Sequence, residues 1–359
     1  MTASNPQLRR LILFLIVITS FINPFLGAAI NIALPSISEE FDMGAVGMSW
    51  VAMSFLLSSA VFLVPLGKLA DIRGRKRIFF LGNIFLTASS ILCALSTSGA
   101  MLIVFRGIQG IGAAMVFGTG VAIITSVYPP QERGKAIGIS VTAVYVGLSL
   151  APFLGGMLTQ YLGWRSIFYV TVPFGLLVIW ITWRYVKEEW ADARGEAFDW
   201  RGSILYVFSM SAFMYGFSRL PEVPAVILVA LGILGIVGFV ILESRLRFPV
   251  FNMVLFSSNR LFALSNLAAL INYATTFAIT FLLSLYLQYI LGMSPRDAGM
   301  ILITQPVLMA IVASISGKLS DTRDPRILAS MGMAIIVAGL IMLTFLTQTS
   351  SITYMVVIL

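Results

Sequence analysis

Long apolar stretches separated by short polar ones set the pattern of this chain. Residues 11–34, 48–66, 78–96, 101–127, 136–160, 166–183, 202–218, 223–242, 261–291, 298–316 and 327–347 each form such a stretch. Each is near the length of about 20 apolar residues that a helix needs to cross a hydrocarbon core. A twelfth begins near 352, and the sequence stops inside it at Val356-Val357-Ile358-Leu359. A membrane helix ending at mid-core with a free carboxylate leads us to expect a C-terminally incomplete chain. The pattern predicts an all-α polytopic membrane protein with about 11–12 membrane helices.

Composition agrees. The chain is 59% hydrophobic and 11% charged, where ordinary globular chains carry roughly 25% charge. The net charge of +8 raises nucleic acid as a partner, and its distribution argues against that. With loops assigned alternately to two sides, one side holds Arg9, Arg10, Lys68, Arg73, Arg75, Lys76, Arg77, Arg133, Lys135, Arg184, Lys187, Arg194, Arg201, Arg245, Arg247, Arg260, Lys318, Arg323 and Arg326. The other side holds Arg165, Arg219 and Arg296. Nineteen against three is a positive-inside bias that predicts a cytoplasmic N-terminus. The first apolar run is too long for a signal-peptide core and carries Asn23-Pro24 and Asn31, so we expect a retained helix. The single cysteine, Cys93, allows no internal disulfide and belongs to no metal-ligand pattern. No phosphate-binding GxxxxGK[ST] run is present, which speaks against ATP hydrolysis. No catalytic constellation stands out, and we expect no enzyme activity, no metal and no cofactor.

Charge gathers in a few places. GKLADIRGRKR at 67–77 follows the second apolar run, and GKLSDTRDPR at 317–326 follows the tenth. Both read Gly-Lys-Leu-small-Asp-x-Arg, a faint internal repeat of the kind found in two-bundle transporters. The most polar stretch, RYVKEEWADARGEAFDWRG at 184–202, reads as a cytoplasmic linker, and 243–260 is a second charged connection. The first external loop, 36–47, carries Glu39, Glu40 and Asp42. This organisation predicts a six-helix bundle over 1–186, a linker with an inserted helix pair over 187–260, and an incomplete second bundle over 261–359.

These segments carry a resemblance. GKLADIRGRKR, LIVFRGIQGIGAA at 102–114, GLSLAPFLGG at 147–156, WRSIFYVTVPFG at 164–175, FDWRG at 198–202 and YLQYILGMSPRDAG at 286–299 stand in order along the chain. They resemble the segments of the major facilitator superfamily, in its fourteen-helix drug:proton antiporter branch. The resemblance implies two helix bundles, a small-molecule substrate, a place in the cytoplasmic membrane of a prokaryote, and the proton gradient as energy source; the sequence does not fix the oligomeric state, and a monomer is favoured. Two departures stand out. Ala151 occupies a position where Gly usually precedes the Pro. The first helix ends in Asn31-Ile32-Ala33-Leu34-Pro35, but Leu26 stands where the branch has an Asp.

Candidate residues follow from both readings. Arg73, Arg75, Lys76 and Arg77 suffice to hold their loop in the cytoplasm, which leaves Asp71 to be explained. The resemblance implies a conformational latch of Gly67, Asp71, Gly74, Arg75 and, in the repeat, Asp321, with Asp71 near Arg75 and the start of the eleventh helix; the alternative is a solvated cytoplasmic charge. Arg106 is the ionisable side chain set well inside an apolar run. A central Arg opposes membrane insertion by roughly 2.5–3.5 kcal/mol. Gln109 lies at i+3, on the same helix face. The resemblance implies that Arg106 faces the inner cavity and supports coupling; the alternative is a hydrogen-bonding centre that holds the fourth helix. Gly138, Gly147, Ala151, Pro152, Gly155 and Gly156 predict a bent, smooth fifth helix, for packing alone or, as the resemblance to the antiporter motif implies, for a bundle-to-bundle contact that excludes leaks. Asn31, Trp50, Tyr145, Asn272 and Gln305, with Asn23, Asn266, Tyr273 and Gln288, are candidates for a substrate cavity, or else for helix–helix hydrogen bonds and interface anchors. None of the 15 carboxylates lies at membrane depth, and the chain has no His. A coupling acid would then lie beyond residue 359 or be a loop-edge acid such as Asp42, Glu222 or Asp297. The remaining alternative is a substrate that is not a cation.

Overall fold

The computed structural model describes residues 6–293, 300–347 and 351–358, with helices and no strand among them. In chain order they are α1 (Pro6–Phe41), α2 (Ala45–Arg73), α3 (Arg75–Ala94), α4 (Gly99–Val127), α5 (Pro130–Leu162), α6 (Ser166–Tyr169) and α7 (Val172–Tyr185). There follow α8 (Trp200–Ser218), α9 (Val223–Glu243), α10 (Val254–Ser258) and α11 (Arg260–Leu285), which runs into a π-helical turn, Tyr286–Ile290. The last are α12 (Thr304–Ser320), α13 (Pro325–Leu343) and α14 (Ile352–Ile358). Among the described residues, nine helical segments are long and apolar enough to cross a membrane.

Local chemistry sets the boundaries. The Ser98, Asp199, Asn259 and Asp324 side chains accept backbone N–H bonds at the starts of α4, α8, α11 and α13, the usual role of short polar N-caps. Pro130 and Pro325 open α5 and α13 at a position where a missing N–H is harmless. One expectation is corrected. The stretch 36–47 is not a loop: α1 continues through Pro35 to Phe41, and the Ser38 hydroxyl closes the turn on the Met43 carbonyl at 2.6 Å. The sixth apolar run is a single candidate span, Ser166–Tyr185, whose helical hydrogen bonding lapses between Tyr169 and Val172, where Pro173 has no N–H to donate back to the Tyr169 carbonyl.

The chain divides into two compact units. Unit 1 comprises 1–129 and 150–253, and unit 2 comprises 130–149 and 254–359, so α5 contributes to both. The core of unit 1 joins Leu26, Ala29, Ile30 and Ala33 of α1 to Val51 and Phe55 of α2, Leu86 and Cys93 of α3, Ala113 of α4 and Ala151 of α5. Helices approach closely where side chains vanish: a Cβ on Gly112 of α4 would stand 2.7 Å from the Leu86 backbone nitrogen of α3. The pair α8–α9, set apart from both bundles by sequence, clusters within unit 1, where α8 packs on α2. Unit 2 holds a smaller cluster of Leu283, Leu287, Ile301 and Met355. Large apolar side chains such as Val104, Phe153, Trp183, Phe208 and Leu234 point outward, as expected of surfaces solvated by lipid.

Candidate functional site

The α2–α3 turn is the most heavily bonded polar feature of unit 1. Gly74 takes φ +115°, a backbone conformation that glycine tolerates and L side chains rarely adopt. A Cβ there would also collide with Glu189. The turn places Arg75 one helical step beyond Asp71. Arg75 Nε donates to Asp71 Oδ1 at 2.8 Å, and Nη1 donates to the Ser126 hydroxyl of α4 at 2.6 Å. Its Nη2 pairs with Asp71 Oδ1 and with Asp192 Oδ2, both at 2.7 Å. Arg75 is therefore bound on three sides, by α2, α4 and the 186–199 linker. At Gly67 a Cβ would meet nothing within 4 Å, although a Cβ on Gly118 of α4 would lie 3.6 Å from the Gly67 Cα.

The repeat of this sequence in unit 2 makes a different contact. Asp321, at the end of α12, accepts from two successive backbone N–H groups of α5: Gly134 at 2.8 Å and Lys135 at 2.9 Å. A carboxylate at the start of a helix is favoured by the positive end of the helix dipole. Just beyond, α5 and α12 touch backbone to backbone. A Cβ on Gly138 would lie 2.8 Å from the Ala313 carbonyl oxygen and 2.9 Å from Gly317 Cα. The Thr142 hydroxyl extends the seam, donating to the Ala310 carbonyl at 3.0 Å.

Arg106 is fully buried inside unit 1. Its Nη1 donates to Gln109 Oε1 at 2.7 Å, and its Nε donates to the Val51 carbonyl at 3.2 Å. The Phe55 ring lies under the guanidinium at 4.4 Å. Gln109 passes the network on, its Nε2 donating to the Ser90 hydroxyl at 2.8 Å. The main chain of Leu26 meets Arg106 as well: Nη1 lies 3.5 Å from the Leu26 carbonyl oxygen. No carboxylate pairs with Arg106 among the described residues. Arg106 and Gln109 are thus neighbours, as expected, inside a network joining α1, α2, α3 and α4.

The remaining candidates scatter. Gly155 lets α5 meet α1, with a Cβ there 2.9 Å from that of Ala29, while at Gly156 the contact is an ordinary 3.8 Å to Ile32. Gly147 is buried, and α5 runs through Pro152 as one helix. The Trp50 ring meets that of Tyr215 of α8 in a tilted pair, centroids 5.1 Å apart. Asn31 is exposed on α1. In unit 2, Tyr145 lies within electrostatic reach of Tyr273, Asn272 is half-buried and Gln305 is buried. Asp297 and the Gln288 side chain lie outside the described residues.

Three features escaped the sequence reading. One is the docking of the linker on the α2–α3 turn. Its signal was charge complementarity, since Glu189, Asp192 and Glu196 oppose a basic loop. The second is Arg165, whose guanidinium forks onto Glu40 at 2.8 and 2.7 Å and also reaches the Ser96 carbonyl at 2.9 Å. The Glu40 hydrogen bond holds the Arg165 guanidinium above its ordinary value, and the Trp164 indole N–H donates to the same carboxylate at 2.8 Å. The third is Glu243, buried at the end of α9, where it accepts from the Phe251 N–H at 2.9 Å.

Comparison with known proteins adds relatives. Multidrug resistance protein Stp of Mycobacterium tuberculosis is 33% identical over 91% of this chain and 62% of its own length. The riboflavin transporter RibZ of Clostridioides difficile is 28% identical over 97% of this chain and 76% of its length. The drug efflux pump JefA of Mycobacterium tuberculosis is 29% identical over 87% of this chain and 62% of its length. The chain thus spans less than two thirds of the length of Stp and JefA. Among solved structures, the human organic anion transporter MFSD10 (TETRAN) superposes with a TM-score of 0.60 at 16% identity, over 95% of this chain and 77% of the other, a likeness of fold. Residues 16–359 match the family model of the Major Facilitator Superfamily, and the chain belongs to that family.

Proposed function

We propose that this protein is a secondary active transporter that exports hydrophobic or cationic drug-like compounds by alternating access, driven by the proton gradient. It would do so as a multi-pass protein of a bacterial cytoplasmic membrane, with its N-terminus inside. The observation that carries the reading is the Asp321 contact. A repeated Gly-Lys-Leu-x-Asp sequence ends in a carboxylate seated on two backbone N–H groups at the start of α5. Such a contact suits a latch: it is local, charge-assisted, and can part without unfolding either helix. Membership of the superfamily and the printed activities of Stp and JefA support the substrate class. The arrangement we propose is a first bundle through residue 186, the linker and inserted pair over 187–260, and a second bundle from 261.

A second reading is favoured by the surroundings of Arg106. Leu26 supplies a main-chain carbonyl where the family resemblance leads one to expect a carboxylate, so the buried guanidinium is left without a counter-charge among the described residues. An uncompensated positive charge disfavours a cation nearby. In this reading the substrate is a neutral or anionic metabolite, and a relative named as a riboflavin transporter supports it.

The two readings part in reconstituted vesicles. Efflux of a fluorescent lipophilic cation would be followed with and without an imposed pH gradient. Movement that requires the gradient, and that drug-like cations inhibit, supports drug:proton export. Dye retention together with uptake of labelled riboflavin would sink it in favour of the metabolite reading.

A further inference from the structure

The 186–199 segment is anchored, not slack. Val186 is buried, and Trp190 lines a small apolar cleft with Ile12 and Ile16 of α1 and Phe79 of α3. From there the segment crosses both ends of the α2–α3 turn. A helix start leaves its first N–H groups without internal acceptors, and a helix end leaves its last carbonyls without donors. At the start of α3, the cap residue Gly74 has no side chain to offer. The segment fills that role: the Arg75 N–H donates to the Trp190 carbonyl at 2.8 Å, and the Lys76 N–H donates to Glu189 Oε1 at 2.9 Å. At the end of α2, the Asp71 carbonyl accepts from the Ala193 N–H at 3.0 Å. Two ion pairs fix the flanks, Asp192 to Arg75 at 2.7 Å and Glu196 to Lys68 at 2.6 Å. Gly195, at φ +93°, turns the segment back toward α8, which begins at Trp200.

We infer that residues 186–196 form a strap that caps α3 and holds the Asp71–Arg75 turn, tying the position of the inserted α8–α9 pair to the conformation of that turn. An undocked linker would leave Gly74 uncapped and the Arg75 guanidinium short of one carboxylate. The strap ends four residues before α8, so displacement of α8 pulls first on the Glu196–Lys68 pair and then on Asp192. Docking is intramolecular and rests on a few charge-assisted contacts. It can therefore open locally while the helices stay folded. The role of the turn as a latch rests on the function proposed above; the docking of the strap does not.

The test is amide hydrogen exchange on the full chain in nanodiscs, with trypsin cleavage after the exposed Lys187, read by its own fragment and apart from the new site that Glu196→Lys creates, as a second readout. Glu196→Lys sets a cation against Lys68. It should speed exchange at residues 75–77 and cleavage in the strap together, each by about tenfold, the change expected from losing one charge-assisted contact. The swap Lys68→Glu with Glu196→Lys restores the pair and should return both rates to within about twofold of wild type, the tolerance for non-ideal geometry in a rebuilt pair. Faster strap cleavage with unchanged exchange at 75–77 would show that the segment does not cap α3, and would overturn the inference. So would wild-type rates in Glu196→Lys, or a swap that fails to restore them. None of these readouts depends on transport, so a failure of the efflux assay leaves them informative.

Discussion

Removing the Asp321 carboxylate should loosen α5 from α12 by an amount that the geometry sets. Asp321→Ala deletes two charge-assisted hydrogen bonds, to the N–H groups of Gly134 and Lys135. Such bonds are worth about 1.5–3 kcal/mol each when water is excluded. The Lys135 contact is exposed, so water replaces the carboxylate there at little net loss, whereas the Gly134 contact is part-buried. The expected change is therefore that of one bond, ~1.5–3 kcal/mol, which raises the population of the parted state roughly 10- to 150-fold. Ser320 reports on it. Its side chain lies against Gly134 and is half-buried, so a cysteine placed there is partly covered while the helices touch. The single native cysteine, Cys93, is buried and leaves a quiet background. Alkylation of Ser320→Cys by a polar maleimide should accelerate in Asp321→Ala by the same factor. Asp321→Asn keeps one acceptor oxygen but turns an N–H₂ toward a donor, and should fall between. Glu188→Ala, which removes an exposed linker carboxylate, should be silent. Alkylation in Asp321→Ala within about twofold of wild type, well short of the effect of one bond, would show that Asp321 is a solvated surface charge and would remove the latch reading.

Other substitutions test neighbouring claims. Gly138→Ala places a Cβ 2.8–2.9 Å from backbone atoms of Ala313 and Gly317, which cannot swing aside. It should lower stability by ~1–3 kcal/mol, the scale of overpacking, read as a fall in Tm of the purified protein; an unchanged Tm refutes the close contact. Arg106→Lys keeps the charge but loses the planar fork that spans Gln109 and Val51. A loss of ~2–3 kcal/mol is expected from charged hydrogen bonds that a single ammonium cannot remake, and a Lys variant as stable as wild type would refute the network. Arg165→Ala breaks a pair whose side chains are 34% and 41% exposed. Screening by water limits the effect to ~0.2–1 kcal/mol, and a larger loss in chemical denaturation would mean that the Trp164–Glu40 contact collapses with it.

How much of this was legible beforehand differs from element to element. The apolar runs identified the spanning helices because lipid demands about 20 apolar residues whatever they pack against. Arg106 with Gln109 was legible too, since i and i+3 share a helix face and a buried charge needs company. The α1 extension to Phe41 was missed because Glu39, Glu40 and Asp42 read as a loop. Their helix is closed locally by Ser38 and held by Arg165, which is 125 residues away from Glu40. Trp50 was left open between a cavity lining and an interface anchor because an aromatic in an apolar run gives no hint of its partner, here Tyr215 on α8.

The sequence by itself determined the all-helical class and the charged turns; it predicted about 11–12 membrane helices, where nine segments among the described residues are long and apolar enough to span. The helical class follows from local composition and from the solvent the chain must satisfy; the family was legible only through the resemblance of short motifs such as GKLADIRGRKR. Only the tertiary structure decided what the charges do. GKLADIRGRKR and GKLSDTRDPR are near copies, yet Asp71 turns inward to Arg75 while Asp321 seats on α5. The linker read as a cytoplasmic connection, and its Glu189, Asp192 and Glu196 meet partners on α2 and α3 more than 110 residues earlier in the chain. Hydrogen bonds and ion pairs act over a few ångströms of space and carry no mark of sequence separation. Periodicity reveals where a helix runs, and packing alone reveals which carboxylate it meets.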